Sequence, residues 1–142
     1  MLRNFLFIII FLTIQSCEKY DIRLNVSNKI DAVVYFVISS DSNFKENAFN
    51  TPFSKNTPSK EYVRKLLPYS SKRVPNFGDN SWIYYVKKSK SKRLNVYFFT
   101  ENVILNNSWE NIYENKLYVG HNEYDLEELE KINWEIIFNP VR

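Results

Sequence analysis

Hydrophobic residues follow three different patterns along the chain, and each pattern predicts a different kind of segment. Residues Phe5–Ile14 form an almost unbroken apolar run, which has the length of an export signal and is too short for a membrane-spanning helix. Asp21–Ser27 alternates apolar and polar positions, which predicts a strand with one solvated face. Ala32–Ile38 is continuously β-branched, aromatic or small, which predicts a strand covered on both faces. We expect these two strands to form a hairpin.

Shorter segments complete the predicted fold. The polar stretch Ser39–Lys60 is expected to be a surface loop, and Glu61–Leu67 is too short to assign by its periodicity. The remaining predicted elements are an edge strand (Tyr69–Val74), a helix capped by Ser81, a strand (Leu94–Phe99), a helix capped by Ser108 over Trp109–Glu114, a strand (Lys116–Gly120), a helix opened by an Asp125–Glu128 capping box, and a strand (Trp134–Phe138). The pattern predicts an α+β fold with a mainly antiparallel sheet of five or six strands and two or three short helices. A β-sandwich is the alternative.

The first apolar run is followed by Ile14-Gln15-Ser16-Cys17. This tetrapeptide resembles the lipobox of bacterial lipoproteins, in which an aliphatic residue and small residues precede a cysteine that is acylated. The resemblance implies a signal peptide over residues 1–16 and a lipid, such as palmitate, on Cys17. Residues 17–20 would then form a tether, and residues 21–142 a single domain.

Composition narrows the possible functions of that domain. The chain is 44% hydrophobic and 17% aromatic, which is enough for a substantial core and unlike a disordered protein. It has one cysteine, so no internal disulfide can form and stability must come from packing. The formal charge of +3 is too small to indicate nucleic acid as a partner. With two glycines in the chain, a glycine-rich phosphate loop is excluded.

Residue types that usually perform catalysis are scarce. His121 is the only histidine, and its sequence neighbourhood offers no nucleophile or second metal ligand, so we expect it to be a surface or hydrogen-bonded residue. The acidic residues Glu127, Glu128 and Glu130 alternate with leucines at a helical spacing, which is typical of a solvated helix face. The sequence therefore favours a protein that is not an enzyme and that holds no metal or cofactor.

Two segments are candidate binding surfaces. One is the basic run, defined as Lys87, Lys88, Lys90, Lys92 and Arg93, which could meet anionic headgroups or an acidic partner, or could simply be a solvated turn. The other is the second face of the Leu94–Phe99 strand, where Tyr97 and Phe99 follow Asn95. These rings could stack on a sugar or a partner protein, or a helix could cover them.

The C-terminal pattern Leu126-x-x-Leu129-x-x-x-Asn133-Trp134-x-Ile136, with the Ser108-Trp109 helix start and the first two strands, resembles small lipoproteins of Bacteroides-type bacteria. No activity is assigned to that group. The resemblance implies a lipid-anchored protein of the Gram-negative cell envelope, in the outer membrane. We expect a non-catalytic module that binds the membrane through its lipid and an envelope protein or glycan through its domain. The alternatives are an immunity-type lipoprotein that neutralises a toxin, and a small hydrolase.

Overall fold

The computed structural model describes residues 19–40, 44 and 63–140. Cys17 and most of the predicted Ser39–Lys60 loop lie outside the described residues. The strands are β1 (Tyr20–Asp21), β2 (Asn25–Asn28), β3 (Val34–Ser39), β4 (Arg64–Leu66), β5 (Ser71–Arg73), β6 (Asn76–Phe77), β7 (Leu94–Thr100), β8 (Gly120–Tyr124) and β9 (Glu135–Phe138). The helices are α1 (Ser81–Lys88), α2 (Glu101–Asn106), α3 (Trp109–Glu114) and α4 (Leu126–Lys131). The predicted α+β class is confirmed.

An antiparallel four-stranded sheet forms the centre of the domain, in the order β4-β3-β7-β8. Strands β3 and β7 pair along six positions, from Val34 opposite Thr100 to Ser39 opposite Asn95. Both strands lie inside the sheet and have partners on each side. The prediction of a central strand at Ala32–Ile38 is therefore confirmed, because a continuously apolar strand is stable only where both of its faces are covered.

The predicted hairpin between the first two strands is wrong. Strand β2 lies in a separate three-stranded sheet, between antiparallel β5 and parallel β9, so neither of its edges is available to β3. The side-chain amide of Asn28 donates to the carbonyls of Ala32 and Leu67, at 2.7 and 3.0 Å, where the chain leaves β2. The alternating pattern of residues 21–27 indicated a half-covered strand, and it carried no information about the partner strands. Strand β5 is an edge strand, as predicted.

The main hydrophobic core combines the inward-facing side chains of the two larger sheets. Strand β7 contributes Leu94, Val96 and Phe98, and the three-stranded sheet contributes Val26 and Ile136. The predicted face of the last strand is also confirmed, since Trp134, Ile136 and Phe138 are all buried. Two sheets of three and four strands therefore replace the single sheet of five or six that the sequence predicted.

A second core lies on the opposite face of the four-stranded sheet. It contains Tyr97 and Phe99 of β7 together with Ile104 of α2 and Trp109 and Ile112 of α3. Helix α2 was not predicted; it follows β7 without a loop, and the Thr100 hydroxyl accepts a hydrogen bond from the backbone N–H of Val103. Both faces of β7 are consequently buried.

Two of the three predicted helix caps are confirmed, and the third cap and one strand boundary differ from the prediction. The Ser108 cap and the Asp125–Glu128 capping box both form, with Glu128 accepting from the backbone N–H of Asp125 at 2.8 Å. Ser81 is the first residue of α1 rather than its cap, which is Asn80. The strand predicted at Lys116–Gly120 begins at Gly120, because Lys116 has φ of 51° and its carbonyl accepts from the N–H of Tyr118 in a tight turn.

Candidate functional site

An aromatic pocket opens beside the second core. Phe44, which belongs to the otherwise undescribed loop region, is buried there against five other rings, with centroids 4.6 Å away at Tyr97 and 5.5 Å away at Trp109. The pocket has a volume of about 260 Å³. Its described lining residues are Phe44, Tyr97, Tyr113, Glu114, Lys116, Tyr118 and His121.

The histidine of the pocket is held in a fixed orientation. Its ring stacks on Tyr97 with centroids 4.1 Å apart and an interplanar angle of 3°, and Tyr118 approaches it edge-on at 6.0 Å. His121 Nε2 lies 2.9 Å from Oδ1 of the buried Asn95. The two side chains are joined by a hydrogen bond in which the imidazole can donate or accept, depending on its tautomer, and the Nδ1 atom of His121 is not part of this bond.

His121 is neutral near pH 7. Burial lowers its pKa below the ordinary value of 6.5, and the carboxylate of Glu123 partly offsets this effect. Lys116 and Glu114, which are both exposed, place one positive and one negative charge at the pocket. The described lining therefore has no net charge, and it offers ring surfaces with hydrogen-bonding groups at their margins.

This arrangement suits binding better than nucleophilic catalysis. The described lining contains no serine, threonine or cysteine that His121 could activate, and Nε2 is already engaged in a hydrogen bond with Asn95. Aromatic rings with a few convergent polar groups are typical of small-molecule binding sites. The bond to Asn95 agrees with the expectation that His121 is a surface or hydrogen-bonded residue.

The second candidate surface from the sequence is not exposed. Tyr97 and Phe99 have exposed fractions of 1% and 0%, and Asn95 is equally buried. Of the two alternatives that the sequence left open, coverage by a helix is the one observed: helices α2 and α3 cover this face of β7, and the exposed binding surface at Tyr97 and Phe99 is ruled out. Tyr97 still contributes to a site, as part of the wall of the aromatic pocket.

The basic run divides into residues with different surroundings. Lys87, Lys88, Lys90 and Lys92 are exposed, and Lys92 donates to the backbone carbonyl of Lys87. The ammonium of Lys88 lies 5.4 Å from the centre of the Tyr84 ring. The four lysines thus lie at the end of helix α1 and in the turn that follows it, whereas Arg93 contacts acidic side chains.

Arg93, the remaining member of the basic run, is bound by three carboxylates. Its Nη2 donates to Glu128 at 2.6 Å, while Glu123 and Asp125 lie 3.3 and 3.7 Å from its other nitrogens. Glu128 and Asp125 form the capping box of α4, so Arg93 ties β7 to the start of that helix. As part of a basic binding surface it would have to give up these contacts, and the lysines alone retain exposed charge.

The region near the N-terminus carries a second, larger depression of about 540 Å³. Its walls include Tyr20, Ile22, Arg23 and Trp134, and the Arg23 guanidinium lies 5.1 Å from the Trp134 ring centre. Arg23 is also paired with the buried carboxylate of Asp21 at 2.7 Å. These contacts give Arg23 a structural role, since it joins Asp21 of β1 to Trp134 directly before β9.

Neither the pocket nor the N-terminal depression was visible in the sequence. The residues that line each of them come from separate elements of the fold. His121 and Asn95, for example, form a hydrogen bond but are 26 positions apart in the sequence, so no local pattern indicates that they meet. Over the described ranges, no group of three or more histidine, cysteine, aspartate or glutamate side chains is placed to hold a metal ion. Within the same residues, no helix has the length and apolar character needed to cross a membrane.

Comparisons with known proteins add no relative. No family model matches the chain, and neither the curated proteins nor the solved structures contain a significant match. The resemblance to small Bacteroides-type lipoproteins therefore stays a prediction.

Proposed function

We propose that this protein is a non-catalytic module of the cell envelope, anchored by a lipid on Cys17, that binds a small polar ring compound in the aromatic pocket. A saccharide unit is the ligand class that fits best. The lipobox-like residues support the anchor, and the pocket lined by His121, Tyr118 and Tyr113 supports the ligand.

The pairing of aromatic rings with a neutral histidine in one pocket carries the proposal. Sugar rings present apolar C–H faces that pack on aromatic side chains, and hydroxyl groups that need both donors and acceptors. Here the carboxylate of Glu114 accepts, the ammonium of Lys116 donates, and Nδ1 of His121 can do either, according to its tautomer. The volume of about 260 Å³ limits the bound portion to roughly one ring, as part of a larger glycan or alone.

The histidine itself provides the test. Because the chain contains one histidine, its two carbon-bound ring protons give an unambiguous pair of nuclear magnetic resonance signals. Titration with glucose, galactose and N-acetylglucosamine should shift these signals saturably for at least one sugar. Tyr118→Ala should weaken that binding about threefold to tenfold, the value of one aromatic contact.

Two further variants separate binding from folding. Glu114→Gln removes an exposed charge at the pocket and should weaken binding without loss of structure, whereas Tyr69→Ala removes an exposed ring elsewhere and should leave it unchanged. Circular dichroism checks the fold of each variant. Absence of a saturable shift with all three sugars, or equal affinity in the Tyr118→Ala protein, would contradict the proposal.

A further inference from the structure

Exposed aromatic side chains lie close together where the start of the described chain pairs with a later strand. Strands β1 and β6 form a two-stranded ribbon in which Tyr20 lies opposite Phe77, with the rings edge-on at 5.8 Å. Tyr20 and Ile22 are each 51% exposed, and Phe77 is 67% exposed. Residues that lie directly opposite in a ribbon point to the same side, so Tyr20 and Phe77 share one surface.

The same surface continues onto helix α1. Phe77, Tyr84 and Lys88 line one shallow depression of about 310 Å³, and the Tyr84 ring is 64% exposed. We name this surface the tether face and define it as Tyr20, Phe77, Tyr84 and Lys88. Exposed aromatic rings beside a long basic side chain are the composition of membrane interfaces, where rings lie at headgroup level and lysines meet phosphate.

The length of the tether determines where this face lies. Lys19 follows the anchor residue Cys17 by two positions, and an extended chain spans at most about 3.6 Å per residue. The Cα atom of Lys19 therefore lies within about 7 Å of that of Cys17, and Tyr20 within about 11 Å. A lipid on Cys17 would hold its backbone at the level of the headgroups. The Cα atom of Tyr20 then stays within about 11 Å of the headgroup level in every orientation of the domain.

We infer that the tether face rests on the phospholipid surface, with Tyr20, Phe77 and Tyr84 among the headgroups. This inference depends on the lipid anchor of the proposed function and is independent of the sugar ligand. Two attractions act together: burial of exposed ring surface and attraction of the exposed Lys88 to anionic phosphates. The anchored domain would consequently have one preferred orientation, instead of turning freely about its tether.

Single-cysteine labelling measures that orientation directly. Acylation consumes the Cys17 thiol, so a cysteine introduced elsewhere becomes the one reactive thiol of the acylated protein. The variants are Phe77→Cys and Tyr84→Cys on the tether face, and Leu105→Cys on α2 as a control whose 67% exposure equals that of Phe77. Each acylated full-length variant is labelled with a polarity-sensitive dye and reconstituted in vesicles of phosphatidylethanolamine and phosphatidylglycerol.

The expected result is a blue-shifted emission at positions 77 and 84, with most of the intensity lost to a quencher attached to the lipid. The dye at position 105 should emit as in water and respond to a water-soluble quencher. Equal quenching by lipid at all three positions would overturn the inference. So would a dye at position 77 that stays water-exposed in vesicles and becomes protected in native envelopes, since a protein partner would then cover the face.

Failure of the anchor gives a different result. Wild-type protein that floats with vesicles and does not react with the thiol dye establishes the acylated state, and Cys17→Ala should remain in the soluble fraction. A wild-type protein that reacts with the dye at Cys17 and does not float would refute the anchor, and with it both the tether-face inference and that part of the proposed function. The proposal of sugar binding would be unaffected, because it is tested separately through the resonance signals of His121.

Discussion

Asp21→Ala should destabilise the domain by about 2–4 kcal/mol, although the residue precedes the first well-packed strand. The Asp21 side chain is 3% exposed, and its two oxygens accept three hydrogen bonds, of which the longest comes from the backbone N–H of Arg23 at 3.3 Å. Its Oδ1 accepts from Arg23 Nε at 2.7 Å, and its Oδ2 accepts from the backbone N–H of Trp82 at 3.0 Å. Helix α1 has no cap of its own, because Asn80 at the N-cap position makes no side-chain cap bond. Asp21 therefore caps α1 from another element.

The expected loss of stability follows from the two shorter hydrogen bonds, those from Arg23 Nε and from the Trp82 N–H. Removal of a helix cap costs about 0.5–2 kcal/mol, and a hydrogen bond to a charged group is worth about 1.5–3 kcal/mol. The loss should stay below the upper end of the two ranges added together, because Arg23 does not become a buried charge without a partner. Its side chain is 28% exposed and keeps a bond of 2.6 Å to Asn80 Oδ1. Asp21→Asn keeps an acceptor for the Trp82 N–H and loses the charge, so its cost should be intermediate.

Urea denaturation followed by tryptophan fluorescence and circular dichroism measures the effect. Asp79→Ala is the matched control: its carboxylate pairs with Lys19 at 3.2 Å, but both side chains are about two-thirds exposed, at 65% and 70%. Such a surface pair contributes about 1 kcal/mol or less. The two variants are compared by the urea midpoint and by the slope of the unfolding free energy against urea concentration. Equal shifts of the midpoint in the Asp21→Ala and Asp79→Ala proteins, with the slope unchanged, would refute the role of Asp21 as a cap.

Two further predictions concern Trp134, which lies in the main core, and His121, which lines the aromatic pocket. Trp134→Ala should lower the free energy of unfolding by about 3–5 kcal/mol, because it empties a buried site between α4 and β9; a midpoint equal to wild type in the same urea experiment would show that the ring is not packed. Burial lowers the folded-state pKa of His121, so the unfolded chain binds more protons. Stability should fall as the pH decreases through the ordinary histidine value near 6.5, and the fall should level off below the folded-state pKa. His121→Gln should remove this component from stability measured across that pH range, and an unchanged pH profile would contradict the assignment.

Local sequence signals predicted much of the secondary structure and its buried faces. The alternation in Leu94–Phe99 gave the correct strand, and the continuous apolar run before Ser39 gave the correct central position. The Ser108 cap and the Asp125–Glu128 capping box gave two helix starts. Each of these signals depends on residues within about one helical turn or one strand, where side-chain periodicity and backbone hydrogen bonding are decided by near neighbours. They are therefore readable without the fold.

Tertiary structure alone decided which strands pair and which distant side chains come into contact. The strand at residues 25–28 could pair with any exposed edge, and burial between β5 and β9 selected its neighbours. Asp21 caps a helix that begins 60 positions later, and Phe44 completes an aromatic cluster with rings from more than 50 positions away. Loop closure costs little additional free energy as chain separation grows, so long-range contacts are selected by packing and leave no period in the sequence. For this reason the aromatic pocket and the tether face, which supply both proposals, appear only after the chain has folded.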